Sequence, residues 1–192
     1  MDYLEIIGTI IGLIYLWLEY HASIYLWVAS IVMPIVYIFI FYDAGLYADM
    51  GINIYYVLAS IYGFVCWRWA IGLKRKESPT EELKISHTPI KFITPLSIIS
   101  IGLTLALAYI LISFTDSNVP WWDSATTSLS IVAMWLMARK YIEQWWVWIV
   151  VDVISAGLYL YKDLYFTAGL YALYAVIAYF GYKKWKELMI AQ

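Results

Sequence analysis

The chain has 192 residues, of which 64% are hydrophobic and only 14% charged, with a mean hydropathy of +0.74 and a formal net charge of −2. Soluble domains carry about 25% charged residues, so this composition excludes an ordinary water-soluble fold. No basic stripe is available for nucleic acid, and the single Cys66 excludes an internal disulfide and a cysteine-cluster metal site.

Seven apolar runs lie at 3–19, 23–42, 49–70, 91–114, 120–138, 142–161 and 164–183. Each is close to the roughly 20 residues needed to cross the hydrocarbon core. All seven are predicted as helices, because only helices and closed barrels satisfy backbone groups in lipid, and the alternation of a barrel strand is absent. The first run opens with Asp2 and Glu5 and lacks a basic leader, so 1–22 is expected to be a retained span. Its Gly8-Thr9-Ile10-Ile11-Gly12 motif permits close helix packing. It ends at Glu19, which is either solvated at the inner face or a gate residue. The second run holds Trp27 and, at mid-span, Pro34; the missing backbone donor makes Pro34 a candidate hinge.

In the third run, Asp49, Asn53, Tyr56, Ser60 and Gly63 follow helical spacing. They form either a polar cavity lining or, for Ser60 and Gly63, a close-packing face with Asp49 at the interface. The polar connection 72–90, with Pro79, is the one real linker. The fifth run carries Asp123, Thr126, Thr127, Ser128 and Ser130, small polar residues of the kind that hold helices together. The sixth places Asp152 at its centre, with Trp145 and Trp148 seven and four residues before it. The seventh has no mid-span lysine, which removes a retinal Schiff base. His21 and His87 fall in connections and receive no role.

Eleven of the twelve basic residues, from Arg68 to Lys186, gather in alternate breaks between the runs; only Lys162 falls in the other set. Cytoplasmic loops collect Lys and Arg, so the N terminus is predicted outside and the C terminus inside. Sliding the chain by 118 residues aligns Trp17 with Trp135, Trp27 with Trp145, Gly51 with Gly169, Tyr56 with Tyr174, Gly63 with Gly181 and Trp67 with Trp185. The expected organisation is therefore a first three-helix unit at 1–71, a cytoplasmic loop at 72–90, a linker helix at 91–114 and a second three-helix unit at 120–185. Parallel repeats of this kind are a transporter architecture, with the substrate site near the midplane.

Burying a carboxylate at mid-depth costs about 3 kcal/mol or more, so Asp152 is expected to face the bundle interior. Trp145, Trp148 and Asp152 share one helical stripe. Two indoles beside an acid suit a flat cationic solute, through stacking, cation–π attraction and charge. The competing reading is a packing stripe with Asp152 bonded to a neighbouring helix. Asn53, Tyr56, Trp27 and Asp49 are the candidates from the first unit. No cofactor or metal is expected: there is no His-Glu-x-x-His pair, no cluster of metal ligands and no phosphate-binding loop. An intramembrane enzyme lacks its acid–base parts.

These residues resemble the Pnu family of vitamin transporters. Its hallmark is similar to W-x-x-W-x-x-x-N/D, met here by Trp145, Trp148 and Asp152. Trp122-Asp123-Ser124, Ser128 to Met134, Ala138-Arg139-Lys140-Tyr141, Gly8 to Leu13, Leu46-Tyr47-Ala48-Asp49 and Ile61-Tyr62-Gly63 look like family segments as well. The resemblance implies a 3+1+3 helix fold related to the SWEET sugar transporters, assembled as a homotrimer in the bacterial inner membrane. It also implies facilitated diffusion of an unphosphorylated vitamin that is trapped inside by phosphorylation. Asp152 stands where nicotinamide riboside transporters of the family have Asn, and the chain looks most like the PnuT branch associated with thiamine. Thiamine is thus the expected substrate, nicotinamide riboside the alternative, and riboflavin or another nucleoside the last choice.

Overall fold

A computed structural model describes residues 3–43, 47–69 and 83–192. These form seven helices: α1 (Tyr3–Tyr20), α2 (Tyr25–Asp43), α3 (Tyr47–Trp69), α4 (Ile90–Phe114), α5 (Pro120–Ala138), α6 (Gln144–Tyr161) and α7 (Tyr165–Ala191). The Asp49 side chain, the Gly8 end of the GxxxG motif and the connection 72–82 lie outside what is described. The first six helices begin and end within two residues of the apolar runs. The seventh does not: it runs to Ala191 rather than 183. Hydropathy marks where lipid contact ends, but Lys183-Lys184-Trp185-Lys186-Glu187-Leu188-Met189 are helix formers with no Gly or Pro to stop them.

The surface is apolar where a soluble protein would be polar. On α4 only Ala108 is buried, while Ile98, Ile101, Tyr109 and Phe114 are each more than half exposed. A face of that kind is stable against hydrocarbon and insoluble in water. Both α4 and α6 are long and apolar enough to cross a membrane.

The chain divides into two compact units. The first comprises Met1–Ile85 with Ala138–Lys140 and Glu187–Gln192. In it α1 packs on α2 and α2 on α3. Leu26, Trp27, Cys66 and Trp67 form its buried core. The Ser30 and Ser60 hydroxyls meet at 2.9 Å between α2 and α3, and Ser60 donates on to the Tyr56 carbonyl. Leu83 and Ile85 are also buried, and the Ile85 amide donates to Gln192 Oε1 at 2.8 Å. Arg139 donates to the Tyr62 hydroxyl at 2.9 Å, and Lys140 Nζ lies 4.3 Å from the centre of the Trp67 ring.

The second unit comprises Ser86–Met137 and Tyr141–Lys186. Ser128 donates to the Ser100 carbonyl at 2.7 Å and so fastens α5 to α4. Thr126, Thr127 and Ser130 donate to carbonyls of their own helix, as small hydroxyls in apolar helices commonly do. Lys162, the one basic residue outside the main set, lies 3.9 Å from Asp123 Oδ2, which also accepts from Ser117.

Matched residues make matched turns. At the end of α1 the Ser23 amide donates to the Leu18 carbonyl around Ala22, whose φ is 51°. At the end of α5, 118 residues on, the Tyr141 amide donates to the Leu136 carbonyl around Lys140, whose φ is 50°. Both are helix-stop motifs with one left-handed residue. In each, the next helix then starts with the same pair of bonds: Leu26 to Ser23 and Trp27 to Ile24, against Gln144 to Tyr141 and Trp145 to Ile142.

A clamp holds the segment before α4 beneath α6. The Glu143 carboxylate accepts from the Thr88 amide at 2.8 Å and the Thr88 hydroxyl at 2.7 Å, and lies 2.6 Å from His87 Nδ1. Burial pushes this carboxyl up, but the bonds from His87 and Thr88 outweigh burial and hold it below its ordinary 4.5. A carboxylate depressed in the folded state adds stability that is complete above its unfolded pKa and lost as pH falls through the folded value. Glu143→Gln should therefore lower the melting temperature near neutral pH, with the gap to wild type closing below about pH 4. A gap that does not change with pH would count against the clamp.

Candidate functional site

The site is built on two helices of the second unit that run antiparallel. Along α6, Trp145, Trp148, Asp152, Ser155 and Tyr159 recur at alternating steps of three and four, which keeps them on one face. Trp145 is 1% exposed and Asp152 7%, and Ser155 is buried as well. Along α7, Tyr171, Tyr174, Ala178, Gly181 and Trp185 repeat the same spacing. The two faces meet at two places. A Cβ added to Gly181 would lie 2.5 Å from the Trp145 ring, which stands edge-on to Trp185 at 5.6 Å. At the other end the Tyr159 and Tyr171 rings lie 5.0 Å apart.

Among the described residues, three polar groups on the α6 face have no hydrogen-bond partner. The indole N–H groups of Trp145 and Trp148 are buried without an acceptor. Among the described residues, no hydrogen bond or ion pair reaches the Asp152 carboxylate. Tyr171 and Tyr174 are near enough to feel its charge. Buried polar groups in folded proteins are nearly always paired, and an unpaired carboxylate is the most costly kind. Three such groups in a row make this face a candidate solute-binding surface. The alternative expected from sequence has Asp152 bonded to a neighbouring helix; among the described residues no such bond is present.

The first unit carries the same scaffold with different chemistry. Trp27 is fully buried, a Cβ on Gly63 would lie 2.3 Å from its ring, and it stands edge-on to Trp67 at 5.6 Å. The interplanar angles are 87° for Trp27 with Trp67 and 88° for Trp145 with Trp185. Yet the position matching Trp148 is Ser30, and the one matching Asp152 is Pro34, which lies inside the continuous α2. Asn53 is buried on α3; Tyr56 is half-buried and pairs its ring with Tyr55 at 5.7 Å. Glu19, which the sequence allowed to be solvated, is 2% exposed and lies beside Tyr15.

A family model described as nicotinamide mononucleotide transporter matches residues 2–187. The chain belongs to this family, the Pnu transporters. Among relatives, it is 29% identical over 210 residues to the nicotinamide riboside transporter PnuC of Escherichia coli (strain K12), covering 96% of this chain and 85% of that one. It is 25% identical to the riboflavin/roseoflavin transporter RibM of Streptomyces davaonensis, over 94% of this chain and 83% of that one. The crystal structure of the vitamin B3 transporter PnuC matches with a TM-score of 0.66 at 25% identity, covering 94% of this chain and 79% of that one. This Pnu protein is thus an all-helical, multi-span membrane transporter.

Sequence reading found the α6 half of the paired faces and missed the α7 half. Tyr174 and Gly181 appear in the 118-residue alignment, but only as matches to Tyr56 and Gly63. The available signal was the step pattern of 171, 174, 178, 181 and 185, which mirrors that of α6. In a helix where 20 of 27 residues are apolar or aromatic, spacing alone does not say which face turns toward Asp152.

Proposed function

We propose that this Pnu transporter carries nicotinamide riboside across the bacterial cytoplasmic membrane by facilitated diffusion. The observation that carries the reading is the buried α6 row of two indole N–H groups without an acceptor and a carboxylate that, among the described residues, no hydrogen bond or ion pair reaches. A pyridinium ring stacks against Trp148, the Asp152 charge compensates its positive charge, and the lone pairs of the carboxylate accept from solute donors. Trp145, wedged on Gly181, holds the α6 face in register as well as offering its N–H. Asn53, Tyr56, Trp27 and Asp49 are the substrate-binding candidates of the first unit, with Pro34 as candidate hinge and Glu19 as candidate gate.

The thiamine preference drawn from Asp152 gives way here. The relatives are named for nicotinamide riboside and for riboflavin or roseoflavin, which favours the former as the cationic solute. The family description names the mononucleotide, but its phosphate would approach Asp152 with no Lys or Arg on either face to offset the repulsion. An unphosphorylated solute is therefore the better fit, and phosphorylation inside the cell would trap it. Thiamine is the second reading, favoured by one feature: a carboxylate at 152 accepts from its exocyclic amine and faces its thiazolium.

The matched turns and matched Trp–Gly–Trp packing support a parallel 3+1+3 repeat of the SWEET kind. The Lys and Arg distribution supports an outside N terminus and an inside C terminus. A homotrimer completes the proposal. The test is a titration of the purified protein with nicotinamide riboside, thiamine and riboflavin in parallel, followed by tryptophan fluorescence. Saturable quenching by nicotinamide riboside at the lowest concentration is expected. Quenching by thiamine alone would move the second reading to first, and none by any of the three would end the vitamin assignment.

A further inference from the structure

The two crossings of α6 and α7 determine what lies opposite Asp152. In an antiparallel pair each step forward on one helix is a step back on the other. Counting inward from Trp145 against Gly181 and Trp185, and from Tyr159 against Tyr171, brings Asp152 opposite positions 174–178. The residues there on the facing stripe are Tyr174 and Ala178. Ala178 is buried and carries only a methyl group, so on α7 the Tyr174 ring is the one large side chain of the stripe at this level. Tyr174 is half-buried, and its ring continues from Tyr171 at 5.6 Å. Its hydroxyl feels the Asp152 charge, yet among the described residues no hydrogen bond joins the two.

The first unit fills the matching positions differently. The residues matching Trp148 and Ala178 are Ser30 and Ser60, whose hydroxyls close on each other at 2.9 Å. Small against small, the two hydroxyls satisfy each other. In the second unit a large ring faces a methyl group, with an acid one turn along. The side chains at these positions depart from the repeat.

We propose that Tyr174 of α7 is a specificity-determining residue of the transporter, and that it reads the sugar half of the solute. This rests on the assignment of nicotinamide riboside above and names the residue that separates it from the bare ring. With Trp148 on the pyridinium, the ribosyl hydroxyls enter the gap above Ala178. The Tyr174 hydroxyl donates to one of them, and Asp152 accepts from the other. A hydroxyl poised near a carboxylate without bonding it suits a diol that bridges both.

Two probes separate the halves of the solute: nicotinamide riboside, and N1-methylnicotinamide, which has the same charged ring and no sugar. Wild type is expected to bind the riboside more tightly. Tyr174→Phe keeps the ring and its packing and removes only the hydroxyl. It should weaken riboside binding by about tenfold, the range of one buried hydrogen bond, and leave N1-methylnicotinamide within about twofold. Equal losses for both probes, or no loss for the riboside, would overturn the role of Tyr174 and leave the substrate assignment standing. Ala178→Leu, which fills the gap, should lose the riboside by at least as much as Tyr174→Phe with an unchanged circular dichroism spectrum; full riboside affinity in that variant would refute the gap. A wild-type protein that binds neither probe would fail the substrate assignment first, and this proposal with it.

Discussion

Asp152→Ala is expected to weaken nicotinamide riboside binding by about 10- to 100-fold, the range of a hydrogen bond to a charged group. The same change should not lower the melting temperature of the solute-free protein. The carboxylate is 7% exposed and, among the described residues, no hydrogen bond or ion pair reaches it, so its removal takes away a buried carboxylate without breaking such a bond. A residue that served packing would behave the other way, losing stability and leaving affinity intact. Asp152→Asn sharpens the test. It keeps an acceptor, adds a donor and removes the charge, so it should retain more affinity for nicotinamide riboside, whose carboxamide pairs with an amide in both directions. Thiamine, with an amine to donate and no carboxamide, should lose more. Measuring both solutes against both variants by fluorescence titration separates charge from hydrogen bonding. Full affinity for every solute in Asp152→Ala would remove this residue from the site.

Gly181→Ala should destabilise the protein by about 1–3 kcal/mol through overpacking, and Gly63→Ala should do the same in the other unit. A Cβ at 181 would lie 2.5 Å from the Trp145 ring, and one at 63 would lie 2.3 Å from the Trp27 ring. Neither indole has room to withdraw, since each is buried and stands edge-on to a second buried indole. The helix itself would prefer alanine by about 1 kcal/mol, so the steric penalty is measured net of that gain. Gly51 and Gly169 provide the internal control. They are the other matched pair, and nothing lies within 4 Å of a Cβ at either. Gly51→Ala and Gly169→Ala should be neutral or stabilising. Thermal unfolding in detergent of the four variants tests the contrast; equal effects at 169 and 181 would mean that Trp145 does not seat on Gly181.

Those two glycine pairs also mark what a one-dimensional reading resolves. Alignment found all four residues and could not rank them. Glycine recurs wherever a Cβ is unwelcome, whether from crowding or merely by descent, and only neighbours in space tell these apart. Asp152 was legible for a different reason. A carboxylate at the centre of an 18-residue apolar helix is improbable enough to point to a function by itself. Tyr174 has no such signal, being one of nineteen tyrosines in the chain. Its importance comes from the register of α6 on α7. That register depends on which rings meet, Trp145 on Gly181 and Tyr159 on Tyr171, and hydropathy carries no information about such pairings.

The sequence by itself determined the solvent, the number of helices and the residue that breaks the rules of that solvent. Each is a local property: transfer of apolar side chains into lipid, internal satisfaction of the backbone, and the penalty on a lone charge at mid-depth. Only the tertiary structure decided that, among the described residues, no hydrogen bond or ion pair reaches Asp152, that Trp145 seats on Gly181, and that α7 continues beyond its apolar span. These depend on which surfaces press together. Close packing is specified by pairs of residues far apart in the chain, through distances of a few tenths of an ångström.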